Sequence, residues 1–256
     1  MCLILFSHRT HPRYSLILAA NRDEFFDRPT EPAGFWSDAP EILGGRDRQA
    51  GGTWMAVQHD GRWAAVTNFR DGTRPPAGSR SRGDLVAEYL RGKQSAKSYA
   101  DAIQRRRNDF GGFNLLVGDR LGVVFVSSQL PASRSLEPGL YGLSNHLLDS
   151  PWPKVERGKR RLRDLVNASN ELPAEALLEL LADRQLAEES ALPRTGVSPE
   201  WEKTLSAVFI TAPGYGTRAS SVLLMDEAGA VHFRERSFDE QGVMFDDRKF
   251  DFVAPS

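Results

Sequence analysis

Two apolar runs open the chain. Cys2–Phe6 (CLILF) and Tyr14–Ala20 (YSLILAA) each read as a buried strand, and the polar RTHPR between them predicts a hairpin loop. NRDEFFDRPT and a Pro/Gly-punctuated stretch to Gly45 follow without a clear period. Thr53–Val57 and Trp63–Thr67 predict a second hairpin, turned at His59-Asp60-Gly61 by its Asp-Gly signal. A polar loop, DGTRPPAGSRSRG, leads to helical spacing, with Leu85, Val86, Tyr89 and Leu90 on one face and another helix over Ser95–Arg107. Phe113–Val117 and Val123–Ser127 predict a third hairpin, and Leu140–Ser144 a short strand. Proline-led helices begin near Pro153 and Pro173, the second with a Leu177, Leu178, Leu181 face. Glu188–Thr204 has no period and reads as a mobile loop. Ala207–Thr211 and Ser220–Met225 predict a strand pair joined by APGYGTRA, and Val231–Arg236 one strand more.

Hairpins, a helical pair, more hairpins, two helices and closing strands make an α+β order, antiparallel sheets with helices packed outside. No repeat or linker divides the chain, so one domain over 1–256 is expected. Lys and Arg total 33 against 34 Asp and Glu, a net charge of −1 that gives no electrostatic case for nucleic acid or an anionic membrane. No apolar stretch nears the roughly 20 residues that span a bilayer. A single cysteine and no signal peptide predict a reducing compartment, the cytoplasm. No Cys/His spacing predicts a structural metal, and no glycine-rich phosphate loop predicts a nucleotide site.

That cysteine, Cys2, has two readings. It either packs at the start of a strand or serves as a nucleophile beside the chain terminus. If Met1 is removed, the freed α-amino group, with a reference pKa of about 7.7–8.0, is a base carried by the same residue. Asn21-Arg22-Asp23-Glu24 ends an apolar strand, which makes it either a solvated turn or a group presented to a pocket. In the second case Asp23 holds the α-ammonium and Arg22 stabilises a thiolate or an anionic ligand. Asn68 and Asn145 each close a strand, as turn residues or as neutral donors for an oxyanion. Arg218 sits in a Gly-rich turn, GYGTRASS, as a surface charge or a functional cation.

MC at the start, NRDEFFDRPT, ILGGRDRQAGGTW, AAVTNFRD, SRGDLV, GFNLLVGD and YGLSNHLLDSPWPKV together resemble the NRDE family, also called the transport-and-Golgi-organisation protein family. The resemblance runs in order from Cys2 to about Leu162, and the last third matches through its TRASSVLL turn and strand. The family is similar in turn to the cysteine branch of N-terminal-nucleophile hydrolases that contains penicillin V acylase and bile-salt hydrolase. The resemblance implies a four-layer αββα sandwich of two antiparallel sheets with outer helices. It also implies a pocket of Cys2, Asp23, Asn68, Asn145 and Arg218. One position departs from the pattern: the acylases carry an arginine three residues before the Asp, where this chain has Ala20, and Arg22 instead adjoins Asp23.

Two functions follow from that resemblance. In the first, the protein hydrolyses a linear C–N amide through acyl-Cys2, with no cofactor. Asp23 then fixes the α-amino base, Asn68 and Asn145 hold the oxyanion, and Arg218 lowers the thiol pKa. In the second, the pocket carries a lipophilic ligand, haem or an acyl-CoA, because members of the family are linked to haem trafficking and lipid homeostasis. His146, directly after Asn145, is the histidine expected near that ligand, and Arg22 would pair with its acidic group.

Overall fold

The computed structural model describes residues 2–72 and 80–255; of the polar loop expected at 71–83, residues 73–79 lie outside the described residues, as does Met1. Along the chain the strands are β1 (Cys2–His8), β2 (Tyr14–Phe25), β3 (Thr30–Trp36), β4 (Ala39–Asp47), β5 (Met55–Gln58) and β6 (Trp63–Asn68). Helices α1 (Gly83–Arg91) and α2 (Ala96–Arg105) come next. They are followed by β7 (Phe113–Asp119), β8 (Gly122–Ser127), β9 (Arg134–Leu136) and β10 (Gly139–Leu143). Helices α3 (Pro153–Ala168), α4 (Ala174–Leu181) and the short α5 (Pro199–Thr204) precede β11 (Thr211–Ala212), β12 (Tyr215–Asp226), β13 (Ala230–Phe238) and β14 (Met244–Val253).

Among the described residues these strands all pair antiparallel. One sheet has the order β10-β1-β2-β12-β13-β14, with β11 on β12, and the other is a meander from β3 to β9. Ile4, Phe6 and Leu18 of the first sheet face Leu43, Val57 and Leu116 of the second, forming the inner core. The opposite faces are also covered. Leu3, Leu5 and Ile17 pack under α3 and α4, while Ile42, Ala64 and Leu115 pack under α1 and α2. The four-layer α+β sandwich is therefore present. Strands buried on both sides need apolar residues at every position, which is why β1 and β2 read as continuous runs rather than alternations.

Five strands depart from expectation. β3 and β4 fill the Pro/Gly stretch: a register shift between Glu31 and Gly34 takes up Pro32, which cannot donate to a ladder. β14 is an edge strand whose polar residues face outward, with only Phe250 and Phe252 packed against the core. The strand expected over Ala207–Thr211 is reduced to Thr211–Ala212, turned back at Pro213-Gly214, where Gly214 has φ +70°. β12 consequently starts at Tyr215, so most of the expected turn is strand. The stretch 188–204, expected as a mobile loop, contains α5, capped by Ser198, and delivers a buried glutamate. The glycines of GGTW make a turn before β5. Gly51 has φ +78°, and a Cβ on Gly52 would meet the Gly83 backbone at 2.5 Å.

Candidate functional site

Cys2 is the direct cross-strand partner of Arg22, and cross-strand partners share a face of the sheet. Both lie at the end of the inner layer, where the wall of a cavity of about 1020 Å³ also includes Asp23, Asn68, Arg70 and Tyr215. Arg22 is only 5 % exposed. Its guanidinium lies 4.4 Å from the Trp54 ring centre, with Nη2 4.0 Å from Asp47 Oδ2. Asp47 is held more tightly by Arg28, at 2.7 Å. Arg22 Nη1 has no hydrogen-bond partner among the described residues.

Asp23 follows on the other face of β2. Its Oδ1 accepts a 2.7 Å hydrogen bond from Thr217 Oγ1, its register partner on β12. Burial raises the Asp23 carboxyl, opposed by the Lys154 charge and the Thr217 bond. Lys154 is the second residue of α3 and 1 % exposed, and its Nζ has no hydrogen-bond partner among the described residues. Burial lowers its ammonium to about 8, and the Asp23 charge pulls it back up. Burial likewise raises the Cys2 thiol; the Asp23 charge adds to this and the Arg22 charge opposes it.

The ends of β6 and β10 tie the two sheets together beside the thiol. Thr67 Oγ1 donates to Ser144 O at 2.7 Å, and Ser144 Oγ donates to Cys2 O at 3.0 Å. Asn145 Nδ2 donates to Asn68 Oδ1 at 2.8 Å and to Asn68 O at 3.1 Å. Asn145 is fully buried and does not line the cavity. It was expected as a second oxyanion donor, but its amide protons go to Asn68. What it does is hold the Asn68 side chain through its Oδ1, which leaves the Asn68 Nδ2 protons free of that pairing.

Arg218 also departs from expectation. It occupies a bulge in β12, between Thr217 and Ala219, which turns it off the ladder. Its Nη1 donates to the carbonyls of Phe25 (2.8 Å) and Arg28 (3.1 Å), and it lies over the Phe26 ring. It therefore braces the 25–28 turn and is not part of the cavity wall. His146 is outside the wall as well: Nδ1 is 2.6 Å from Ser150 Oγ, and the ring packs between Phe69 and Trp152.

Three cations and the glutamate that pairs with one of them were not anticipated at this end. Arg70 is buried, with Nη1 2.9 Å from Glu202 Oε2 and its guanidinium 4.4 Å from the Trp152 ring centre. Glu202 Oε1 accepts from Thr195 N and Oγ1, both at 2.7 Å. Arg82 is exposed and also lines the cavity. For the third, Lys154, the available signal was its place four residues before Gly158 and eight before Leu162, on the buried stripe of α3.

The arrangement presents one thiol, the Asn68 side chain and two buried arginines, Arg22 and Arg70, to a large cavity. Among the described residues no helix is long and apolar enough to cross a membrane. In fold, the chain is similar to a mutant conjugated bile acid hydrolase from Clostridium perfringens, with TM-score 0.52 and 10 % identity over 99 % of this chain and 98 % of that one. It is also similar to a Caenorhabditis elegans N-acylethanolamine-hydrolyzing acid amidase ortholog, with TM-score 0.51 and 10 % identity over 88 % and 92 %. These likenesses identify the N-terminal-nucleophile hydrolase fold. In sequence, it is 37 % identical to the Transport and Golgi organization protein 2 homolog of Bos taurus over 93 % of both chains. It is 34 % identical to the Homo sapiens homolog over the whole of both. The model of the family "Transport and Golgi organisation 2" matches residues 1–240, and the chain belongs to that family.

Proposed function

We propose that the protein hydrolyses a linear amide through Cys2. One observation carries this reading: the thiol and the Asn68 amide, locked by Asn145, face the same cavity. The fold neighbours named above, which act on conjugated bile acids and N-acylethanolamines, are consistent with it. With Met1 removed, the Cys2 α-amino group takes the thiol proton and the sulfur adds to the amide carbonyl. Asn68 Nδ2 donates to the oxyanion of the tetrahedral intermediate. Asp23, held by Thr217, faces the ammonium that forms. The C–N bond breaks as that ammonium returns its proton to the leaving amine, giving a free amine and a thioester. Water, deprotonated by the same amine, then releases the acid and restores the thiol.

Intact mass of the purified protein, before and after incubation with a panel of N-acyl amides, tests this. The expected result is a chain short by one methionine that gains an acyl adduct, with the adduct lost in Cys2→Ser. Retained Met1 with no adduct on any amide would sink the hydrolase.

Burial of the thiol and the engagement of Arg218 elsewhere favour a second reading, a non-catalytic carrier of haem or an acyl-CoA. On that reading Cys2→Ser leaves haem binding intact, whereas a loss of binding would count against it. His146→Ala likewise leaves it intact, because that ring lies outside the cavity wall.

A further inference from the structure

The cavity wall is cationic in a chain whose net charge is −1. Among its described residues are six arginines, including Arg22, Arg28, Arg70 and Arg82, against the carboxylates of Asp23, Glu24, Asp47 and Asp71. Arg28 is neutralised by Asp47 and braced near Glu24. Arg22 and Arg70 are different. Each is more than nine-tenths buried, each is stacked at 4.4 Å on a tryptophan, and each faces an acid on one side of its guanidinium. Each also keeps one buried guanidinium nitrogen, Arg22 Nη1 and Arg70 Nε, without a hydrogen-bond partner among the described residues.

A buried cationic donor left unpaired is costly, and folded proteins rarely keep two at one site without a use for them. Two rigidly stacked guanidinium groups suit planar, bidentate recognition of an oxyanion. The rest of the wall is aromatic, with Phe25, Trp54, Phe69, Phe110 and Trp201. The volume is that of a site for a small organic molecule.

We propose that this cavity is an anion site: Arg22 and Arg70 clamp the acidic group, a carboxylate or a phosphate, of a ligand whose apolar body lies against the aromatic wall beside Cys2. The proposal rests on the reading that the cavity is where the ligand binds, and it names the substrate class of that site as acidic amphiphiles. It requires neither amide hydrolysis nor removal of Met1.

Because Cys2 is the only cysteine, alkylation reports on this cavity alone. Iodoacetate and iodoacetamide differ by one negative charge, and the ratio of their rates cancels the thiol's own proton equilibrium. With glutathione as the reference thiol, the expected ratio at Cys2 is higher by about tenfold at low salt, the scale of electrostatic enrichment in a charged cleft. At constant ionic strength, inorganic phosphate or acetate should lower it. The competitor acting at the lower concentration identifies the head group.

Arg22→Gln and Arg70→Gln should each bring the ratio down toward that of glutathione, with Arg22→Lys and Arg70→Lys in between. If Arg70→Gln does not fold, the Arg22 variants and the competition with the wild type decide. A wild-type ratio equal to that of glutathione, or one unchanged by Arg22→Gln, would overturn the proposal. Failure of the hydrolase is distinguishable, since it appears as a retained Met1 and no acyl adduct whatever the alkylation ratio.

Discussion

Glu202 joins α5 to the candidate site, and its removal should be costly. The side chain is 4 % exposed, and both carboxylate oxygens are used, one by Arg70 and one by two donors of Thr195. Glu202→Leu fills similar space but leaves the Arg70 guanidinium buried without its anion. Breaking a buried pair from one side costs about 3–5 kcal/mol. One effect reduces this: Thr195 is half-buried, so water can replace the lost acceptor. The expected loss is therefore about 2–4 kcal/mol, a large share of the roughly 5–15 kcal/mol that holds a domain together.

Urea melts of wild type, Glu202→Leu, Arg70→Met and the double variant measure it. With m near 3 kcal/mol/M, the single variants should shift the midpoint down by about 1 M. The double variant should recover most of that, because no uncompensated charge remains. A single-variant cost under about 1 kcal/mol, or double-variant losses that simply add, would refute the buried pair.

Trp152 lies under Arg70 and in the cluster beneath α3, so Trp152→Ala should cost about 3–5 kcal/mol in the same melts, and under about 1 kcal/mol would mean it is exposed. The Lys154 ammonium titrates near 8 in the folded chain against about 10.4 unfolded. Between those values the unfolded chain binds the extra proton, so stability should gain with rising pH, relative to Lys154→Met. Parallel pH profiles for the two proteins would show that the amine is not buried. Burial raises the Cys2 thiol, so its iodoacetamide rate should still be climbing above pH about 8.5, and a plateau below that value would contradict the burial. Arg218→Ala should leave that pH profile unchanged, since its guanidinium holds the 25–28 carbonyls; a large shift would place it back beside the thiol.

What the sequence discloses is set by burial. β1, β2, β7 and β8 each carry a continuous apolar run because both faces are covered, and α1 shows its buried face at helical spacing. β14 hides because an exposed edge strand carries charge: Arg234 and Arg236 of β13 pair with its Asp247, and only two phenylalanines mark its inner side. At the site, Cys2, Asp23 and Asn68 are legible as polar residues that end apolar strands. Arg70 and Glu202 are not, since their pairing joins residues 132 apart in sequence, and each alone looks like an ordinary surface charge.

The missing acylase arginine is resolved by register rather than by composition. Ala20 pairs with Ile4 and lies in the inner core, packed among apolar side chains, where a guanidinium would have neither water nor an acid. Two residues further along β2 the pleat returns to the same face, so Arg22 takes up the side that Ala20 cannot serve. It does so opposite Cys2 itself, at the strand end, where the cavity begins and Trp54 and Asp47 can hold it. Its adjacency to Asp23 then means that the two charges leave β2 on opposite faces. Asp23 turns toward Thr217 and Lys154, and Arg22 toward the thiol and the ligand space. A shift of two residues thus keeps a cation by the cysteine while moving it from the core to the wall of the cavity, where it can also meet a ligand.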